Sequence, residues 1–129
     1  MRTRLPAVLA AVGLITGGYV HWCLYRRGYR FIPVIGTLFL VNVVASAAAA
    51  LALLAARRLV TELAGVGVAI GTLGAFVASR LPGGIFHFQE RGFQPDPQSA
   101  IAVAAELIAI AMLVAAIAGD RPSAQSDGH

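Results

Sequence analysis

Charged side chains are scarce in this chain of 129 residues. Only 12% of its residues are Asp, Glu, Lys or Arg, whereas 58% are hydrophobic, and its mean hydropathy is +0.77. Soluble domains carry about 25% charged residues, because their surfaces must be hydrated. The composition therefore excludes an ordinary water-soluble domain and predicts an integral membrane protein.

Lysine is absent, so all ten basic residues are arginines. They stand singly or in pairs at the ends of apolar runs, as the charges that flank membrane spans do. No cluster of them forms a basic face that could follow a phosphate backbone. The net charge of +4 is therefore explained by membrane-flanking residues, and we expect no binding to nucleic acid.

Cysteine occurs once, at Cys23, which excludes an intrachain disulfide and a thiolate metal cluster. No pair of His, Asp or Glu residues has a spacing typical of a metal site. Only one histidine lies near a helix interior, whereas bis-histidyl haem ligation needs two. No serine, histidine and aspartate form a recognisable triad. We expect no metal, no cofactor and no enzymatic activity.

Four apolar runs, each long enough to cross a bilayer, are separated by connections that carry arginine. The predicted helices cover residues 5–25, 31–56, 59–81 and 99–118. The pair Arg57-Arg58 is the shortest connection and makes the second and third helices antiparallel neighbours. The sequence thus predicts an all-α, four-helix transmembrane bundle over residues 1–118, with both termini on the same side. A disordered polar tail is predicted over residues 119–129.

Proline, glycine and serine predict where the helices begin and end. Pro33 is tolerated in the first turn of the second helix. The third helix is predicted to stop at Pro82-Gly83-Gly84. Ser99 is the candidate cap of the fourth helix.

The distribution of arginines does not indicate the orientation of the chain in the membrane. The side that holds the termini carries Arg2, Arg4, Arg57, Arg58 and Arg121. The opposite side carries Arg26, Arg27, Arg30, Arg80 and Arg91. With this tie, either another feature sets the topology or the chain inserts both ways and forms antiparallel homodimers. We expect cytoplasmic termini in the plasma membrane, because the polar tail then needs no translocation.

Small residues recur at the spacing of close helix contacts. Gly13 and Gly17 lie one turn apart in the first helix, and Gly67 and Gly71 lie one turn apart in the third. Lipid gives little hydrophobic drive between helices, so small residues that let backbones approach are typical of their interfaces. We expect all four glycines to face other helices.

A few polar residues interrupt the apolar runs in the same half of the predicted bundle. They are Glu106, Asn42, His21 and Thr37. Burying such groups in a membrane costs free energy, so they are candidates for a polar pocket. Three of them also have a structural interpretation: a buried hydrogen bond for Glu106, interhelical bonding for Asn42 and an interfacial anchor for His21.

The connection between the third and fourth helices is the only long one, from Pro82 to Gln98. Phenylalanines alternate there with polar residues between Gly83 and Phe93. This pattern predicts a segment in the membrane interface, or a lid over the pocket.

The segment from His21 to Asn42 resembles a group of small four-helix membrane proteins of unassigned function from high-GC bacteria. The residues that carry the resemblance are Tyr25, Gly28-Tyr29-Arg30, Ile32-Pro33, Ile35-Gly36 and Leu38-Phe39-Leu40. The resemblance implies a shared bundle and implies no activity.

Two classes of function fit these features. The first is a non-enzymatic accessory or structural component, whose partners are the bilayer and a second copy or a larger membrane complex. The second is a small ion- or proton-coupled transporter or channel that uses the pocket around Glu106.

Overall fold

The computed structural model describes residues 4–120, and over that range the chain forms four long α-helices. They are α1 (Leu5–Arg27), α2 (Ile35–Ala55), α3 (Leu59–Arg80) and α4 (Gln98–Asp120), with a short 3-10 helix at Tyr29–Phe31. Each of the four is long and apolar enough to cross a membrane, and no strand forms among the described residues. Arg2 lies outside the described residues, and so does the predicted tail beyond residue 120, which includes Arg121.

Helix α2 begins at Ile35, four residues later than the predicted start at Phe31. Ile32 precedes proline, which disfavours the helical conformation, and its backbone is extended with φ −85° and ψ 118°. The chain then turns at Val34, whose φ is 67°, and the Ile35 N–H donates to the Pro33 carbonyl at 2.7 Å. Pro33 therefore lies in a tight turn before the helix instead of in its first turn.

Helix α4 begins at Gln98, so Ser99 lies inside its first turn and is not its cap. The Ser99 hydroxyl instead donates to the Gln94 carbonyl at 2.9 Å. The helix continues through Gly119 to Asp120, two residues into the segment that the sequence predicts as disordered. The alanine-rich sequence before these residues favours helix continuation.

Helices α1 and α4 run antiparallel and approach each other closely. Gly13 lies beside Ala109, whereas Gly17, one turn further along α1, lies beside Glu106, one turn earlier in α4. The contacts between α1 and α2, between α2 and α3, and between α3 and α4 follow the same antiparallel order. The four helices therefore pack up, down, up and down.

The core fills the half of the bundle that lies near the α2–α3 connection. It is built from small side chains with a few leucines between them, which suits close packing in lipid. Its best-buried members are Ala10, Ala11, Leu14, Ala50, Leu53, Ala69, Ala109 and Leu113. The other half of the bundle contains the cavity described below.

The two predicted glycine pairs lie in different surroundings. A Cβ added at Gly13 would lie 2.7 Å from the Ala105 carbonyl oxygen, so α1 and α4 need glycine there. A Cβ added at Gly67 or Gly71 would meet nothing within 4 Å, and both residues are exposed. This differs from the expectation that they face another helix of this chain. Gly65 takes that place, with its added Cβ 2.9 Å from Leu113, because two residues correspond to a rotation of about 200° around a helix.

We predict that Gly13→Leu destabilises the bundle, whereas Gly74→Leu does not. A side chain at Gly13 collides with backbone, which cannot move aside, and overpacking costs about 1–3 kcal/mol. Gly74 is exposed and an added Cβ there would meet nothing. Thermal unfolding in mild detergent is the measurement. Equal melting temperatures for the two variants would contradict this packing of α1 on α4.

Candidate functional site

A cavity of about 290 Å³ lies between the four helices, in the half of the bundle near the other two connections. Most of its wall is apolar and includes Leu24, Phe39, Phe76 and Phe88. His21, Asn42 and Glu106 also line it. A mostly apolar cavity with a few polar groups is the usual form of a small-molecule site in proteins.

Glu106 is the most unusual residue of this wall. Its side chain is 0% exposed, and neither carboxyl oxygen has a hydrogen-bond partner among the described residues. Gly17 of α1 lies directly against this carboxyl, and even a methyl group at Gly17 would overlap Oε1. The structural interpretation of Glu106 as a hydrogen-bonded residue therefore has no partner to support it. An unpaired buried carboxylate is costly, which makes this group a candidate binding site.

Asn42 joins α2 to α3. Its Nδ2 donates to the Thr72 hydroxyl at 2.6 Å, and that hydroxyl donates in turn to the Val68 carbonyl at 2.7 Å. The Ser46 hydroxyl donates to Asn42 Oδ1 at 3.3 Å. Asn42 therefore makes an interhelical hydrogen bond and at the same time lines the cavity.

His21 of α1 lies beside α2 and lines the cavity. Its Nδ1 is 2.8 Å from the Gly17 carbonyl oxygen, and its ring packs edge-on against Phe39 at 4.9 Å between centroids. Thr37, by contrast, is exposed and does not line the cavity. The structure thus brings together three of the four predicted pocket residues and places Thr37 outside.

Tyr29 and Glu90 close the cavity at the end nearest the connections. The Tyr29 hydroxyl donates to Glu90 Oε1 at 2.6 Å, and its ring stacks on Phe39 at 4.8 Å. Phe88 packs edge-on against Tyr29 at 5.8 Å. Burial and the hydrogen bond to Glu90 raise the pKa of the Tyr29 phenol above its ordinary value. Sequence analysis missed this pair, because residues so far apart in the chain leave no periodic signal.

Arg80 holds the long connection against the end of α3. Its Nε donates to the Gly92 carbonyl at 2.8 Å, Nη1 donates to the Ser79 hydroxyl at 2.6 Å and Nη2 donates to the Gln94 carbonyl. Its guanidinium also lies 3.8 Å from the centre of the Phe76 ring. The sequence indicated only a flanking charge here, whereas the structure shows the residue that orders the connection.

The opposite end of the bundle contains a second buried glutamate, Glu62. Its Oε1 lies 3.1 Å from Nε of Arg57, and these side chains are 3% and 10% exposed. Arg57 Nη2 also donates to the Ala116 carbonyl of α4 at 3.3 Å. Glu62 is therefore neutralised by an arginine, whereas no cation pairs with Glu106 among the described residues.

Comparison with known proteins identifies no relative: no protein-family model matches the chain, and no curated protein or solved structure is detectably similar to it. Over residues 4–120, no three His, Cys, Asp or Glu side chains converge where a metal ion could bind. Any functional assignment therefore depends on the geometry of the cavity itself.

We predict that Tyr29→Phe loosens the connection over the cavity, whereas Tyr25→Phe does not. The first change removes the donor to Glu90, and a hydrogen bond to a charged group contributes about 1.5–3 kcal/mol. Tyr25 stacks on Trp22, with 5.8 Å between the ring centroids. Amide hydrogen exchange over residues 84–95 is expected to accelerate in Tyr29→Phe alone. Unchanged exchange in both variants would show that the hydroxyl does not hold this segment.

Proposed function

We propose that this chain is a multi-pass protein of the plasma membrane that binds a proton or a small cation at Glu106. The observation that carries the proposal is a fully buried carboxyl group, without a partner, on the wall of a cavity within the apolar spans. Such a site acts without covalent chemistry, as in a small ion- or proton-coupled transporter or channel. This is the second of the two functional classes that the sequence left open.

The electrostatics of Glu106 supports this choice. A carboxylate buried without a counter-ion has a large desolvation cost, which either a bound proton or a bound cation removes. The nearby Arg80 directs its guanidinium to the long connection, so it does not neutralise this group. Since proton and cation neutralise the same carboxyl, their binding is mutually exclusive. Mutually exclusive binding is the physical basis of exchange between them.

The antiparallel order of the helix contacts supports a topology with both termini on one side. We propose that this side is cytoplasmic, because the polar C-terminal segment then stays where it is made. The equal numbers of arginines on the two sides give no preference.

A role as an accessory component of a larger complex is the second candidate. Helix α3 is the least buried of the four, and its exposed side includes Leu63, Ile70, Gly74 and Val77. A smooth apolar surface of this kind fits a second copy or another membrane protein. It fits lipid equally well, whereas lipid packing gives no reason for the carboxyl at Glu106.

Infrared difference spectroscopy of the purified protein tests the main proposal. We expect a carboxylic acid C=O band whose intensity changes with pH and falls when triethylamine, a small amine that has both a neutral and a cationic form, is added at constant pH. Glu106→Gln, which keeps the shape of the side chain, should lack this band. Glu62→Gln is the matched control, because Glu62 is a buried glutamate already paired with Arg57.

The control variant should keep the band, although it should melt at a lower temperature because the buried ion pair between Glu62 and Arg57 is lost. If the folded wild type has no band that Glu106→Gln removes, or a band that triethylamine leaves unchanged, Glu106 does not exchange a proton for a cation and the proposal is wrong.

A further inference from the structure

The wall of the cavity is incomplete between α2 and α3. Leu38 and Val41 of α2 and Gly67 and Gly71 of α3 line the cavity, and all four are exposed. We call the opening bounded by these four residues the α2–α3 gap. The cavity is thus accessible from the side of the bundle.

The α2–α3 gap lies at the depth of the hydrocarbon core. Helix α3 begins at Leu59, so Gly67 and Gly71 lie about 12 and 18 Å along its axis at about 1.5 Å per residue. The hydrocarbon core is about 30 Å thick, which places both glycines near its middle. A molecule that passes through the gap therefore comes from lipid and not from water.

Glycine keeps this gap open. A Cβ added at Gly67 or Gly71 would meet nothing within 4 Å, so neither glycine is explained by contact with another helix of this chain. Only one side-chain hydrogen bond among the described residues joins α2 to α3 at this depth, from Asn42 to Thr72. Larger side chains at these glycines would extend into the space between the helices.

The end of the cavity near the connections is closed by comparison. Tyr29 is hydrogen-bonded to Glu90 across it, Phe88 packs on the Tyr29 ring, and Arg80 holds the connection through two donated bonds. A solute from water would have to break these contacts. A solute from lipid would enter through the α2–α3 gap, where Gly67 and Gly71 have no side chains to block it.

We propose that the ligand of Glu106 is a lipophilic amine that enters from the bilayer through the α2–α3 gap. This inference rests on the proposed function, and it adds the class of ligand and its route. A neutral amine dissolves in the hydrocarbon core, whereas a permanent cation does not do so readily. The apolar walls at Phe39 and Phe76 accommodate its carbon skeleton, and a volume of about 290 Å³ limits it to a small molecule.

The amine becomes charged only when it reaches Glu106 and accepts a proton. The O–H bond of the protonated Glu106 carboxyl breaks and an N–H bond forms, which leaves an ammonium paired with a carboxylate. The other titratable groups on the cavity wall are His21 of α1, Arg80 of α3, Tyr29 and Glu90, and the wall contributed by α2 has none. Tyr29 and Glu90 are bonded to each other, Arg80 to the connection, and His21 Nδ1 to the Gly17 carbonyl, so Glu106 is the proton donor.

The test uses 4-(4-fluorophenyl)butylamine and the protein in lipid nanodiscs, with fluorine NMR exchange measuring both binding rates. In Gly71→Leu, association and dissociation should both slow about tenfold while the dissociation constant stays within about twofold, because a narrower route affects both directions alike. Gly74→Leu is the matched control, since Gly74 is exposed in the same helix but does not line the cavity. It should bind at wild-type rates.

The carboxyl is tested separately with 1-fluoro-4-pentylbenzene, in which a carbon replaces the amine nitrogen. This hydrocarbon should show no saturable binding, and the amine should lose its affinity in Glu106→Gln. Equal rates for the two leucine variants would overturn the route while leaving Glu106-dependent binding in place.

Two other results would also reject the route through the gap. Faster exchange in Tyr29→Phe would show entry at the connections, and weaker binding of Gly71→Leu with an unchanged dissociation rate would show that leucine fills the site itself. Amine binding that survives Glu106→Gln would overturn the pairing of the amine with Glu106, whereas the proposed function is rejected only by the infrared experiment.

Discussion

The close approach of α1 and α4 is the constraint on which the rest of the structure depends. In lipid, helices gain little from burying apolar surface, so they associate where backbones can come near each other. Gly13 and Gly17 provide that surface on α1. The same approach places the Glu106 carboxyl against the bare backbone at Gly17, where α1 offers no side chain to neutralise it. Helix packing and the burial of an unpaired carboxyl beside the cavity therefore have a single origin.

A buried glutamate is paired with an arginine at one end of the bundle and has no partner among the described residues at the other. At one end, Arg57 neutralises Glu62 and also bonds to the end of α4, above a core of alanine and leucine. At the other end, Glu106 faces a cavity that Tyr29 and Glu90 close. Breaking a buried ion pair is strongly destabilising, so the first end holds the helices together. Because the first end stabilises the bundle, the second end can contain the cavity and the unpaired Glu106 carboxyl.

Much of the fold follows from the sequence, because apolar runs bounded by arginines leave little choice of helix number. Counting the rise per residue from one membrane face was also enough to group Glu106, Asn42 and His21. The rise per residue gives the depth of a residue but not the direction of its side chain, so it did not show that Thr37 is exposed outside the cavity. Glycine spacing marks a smooth helix side without saying what lies against it, so Gly67 and Gly71 were expected in a contact that Gly65 makes. The Tyr29–Glu90 bond and the contacts of Arg80 depend on tertiary geometry, for which the sequence has no periodic signal.

The central claim is that the Glu106 carboxyl lies against Gly17 inside the bundle, and solid-state NMR in lipid bilayers tests it most directly. With carbon-13 placed at Gly17 Cα and Glu106 Cδ, the structure predicts a through-space correlation between the two sites, since a methyl group at Gly17 would lie 3.1 Å from Glu106 Cδ. A folded protein that lacks this correlation, with Glu106 correlated to lipid headgroups instead, would contradict both the packing of α1 on α4 and the site built on it.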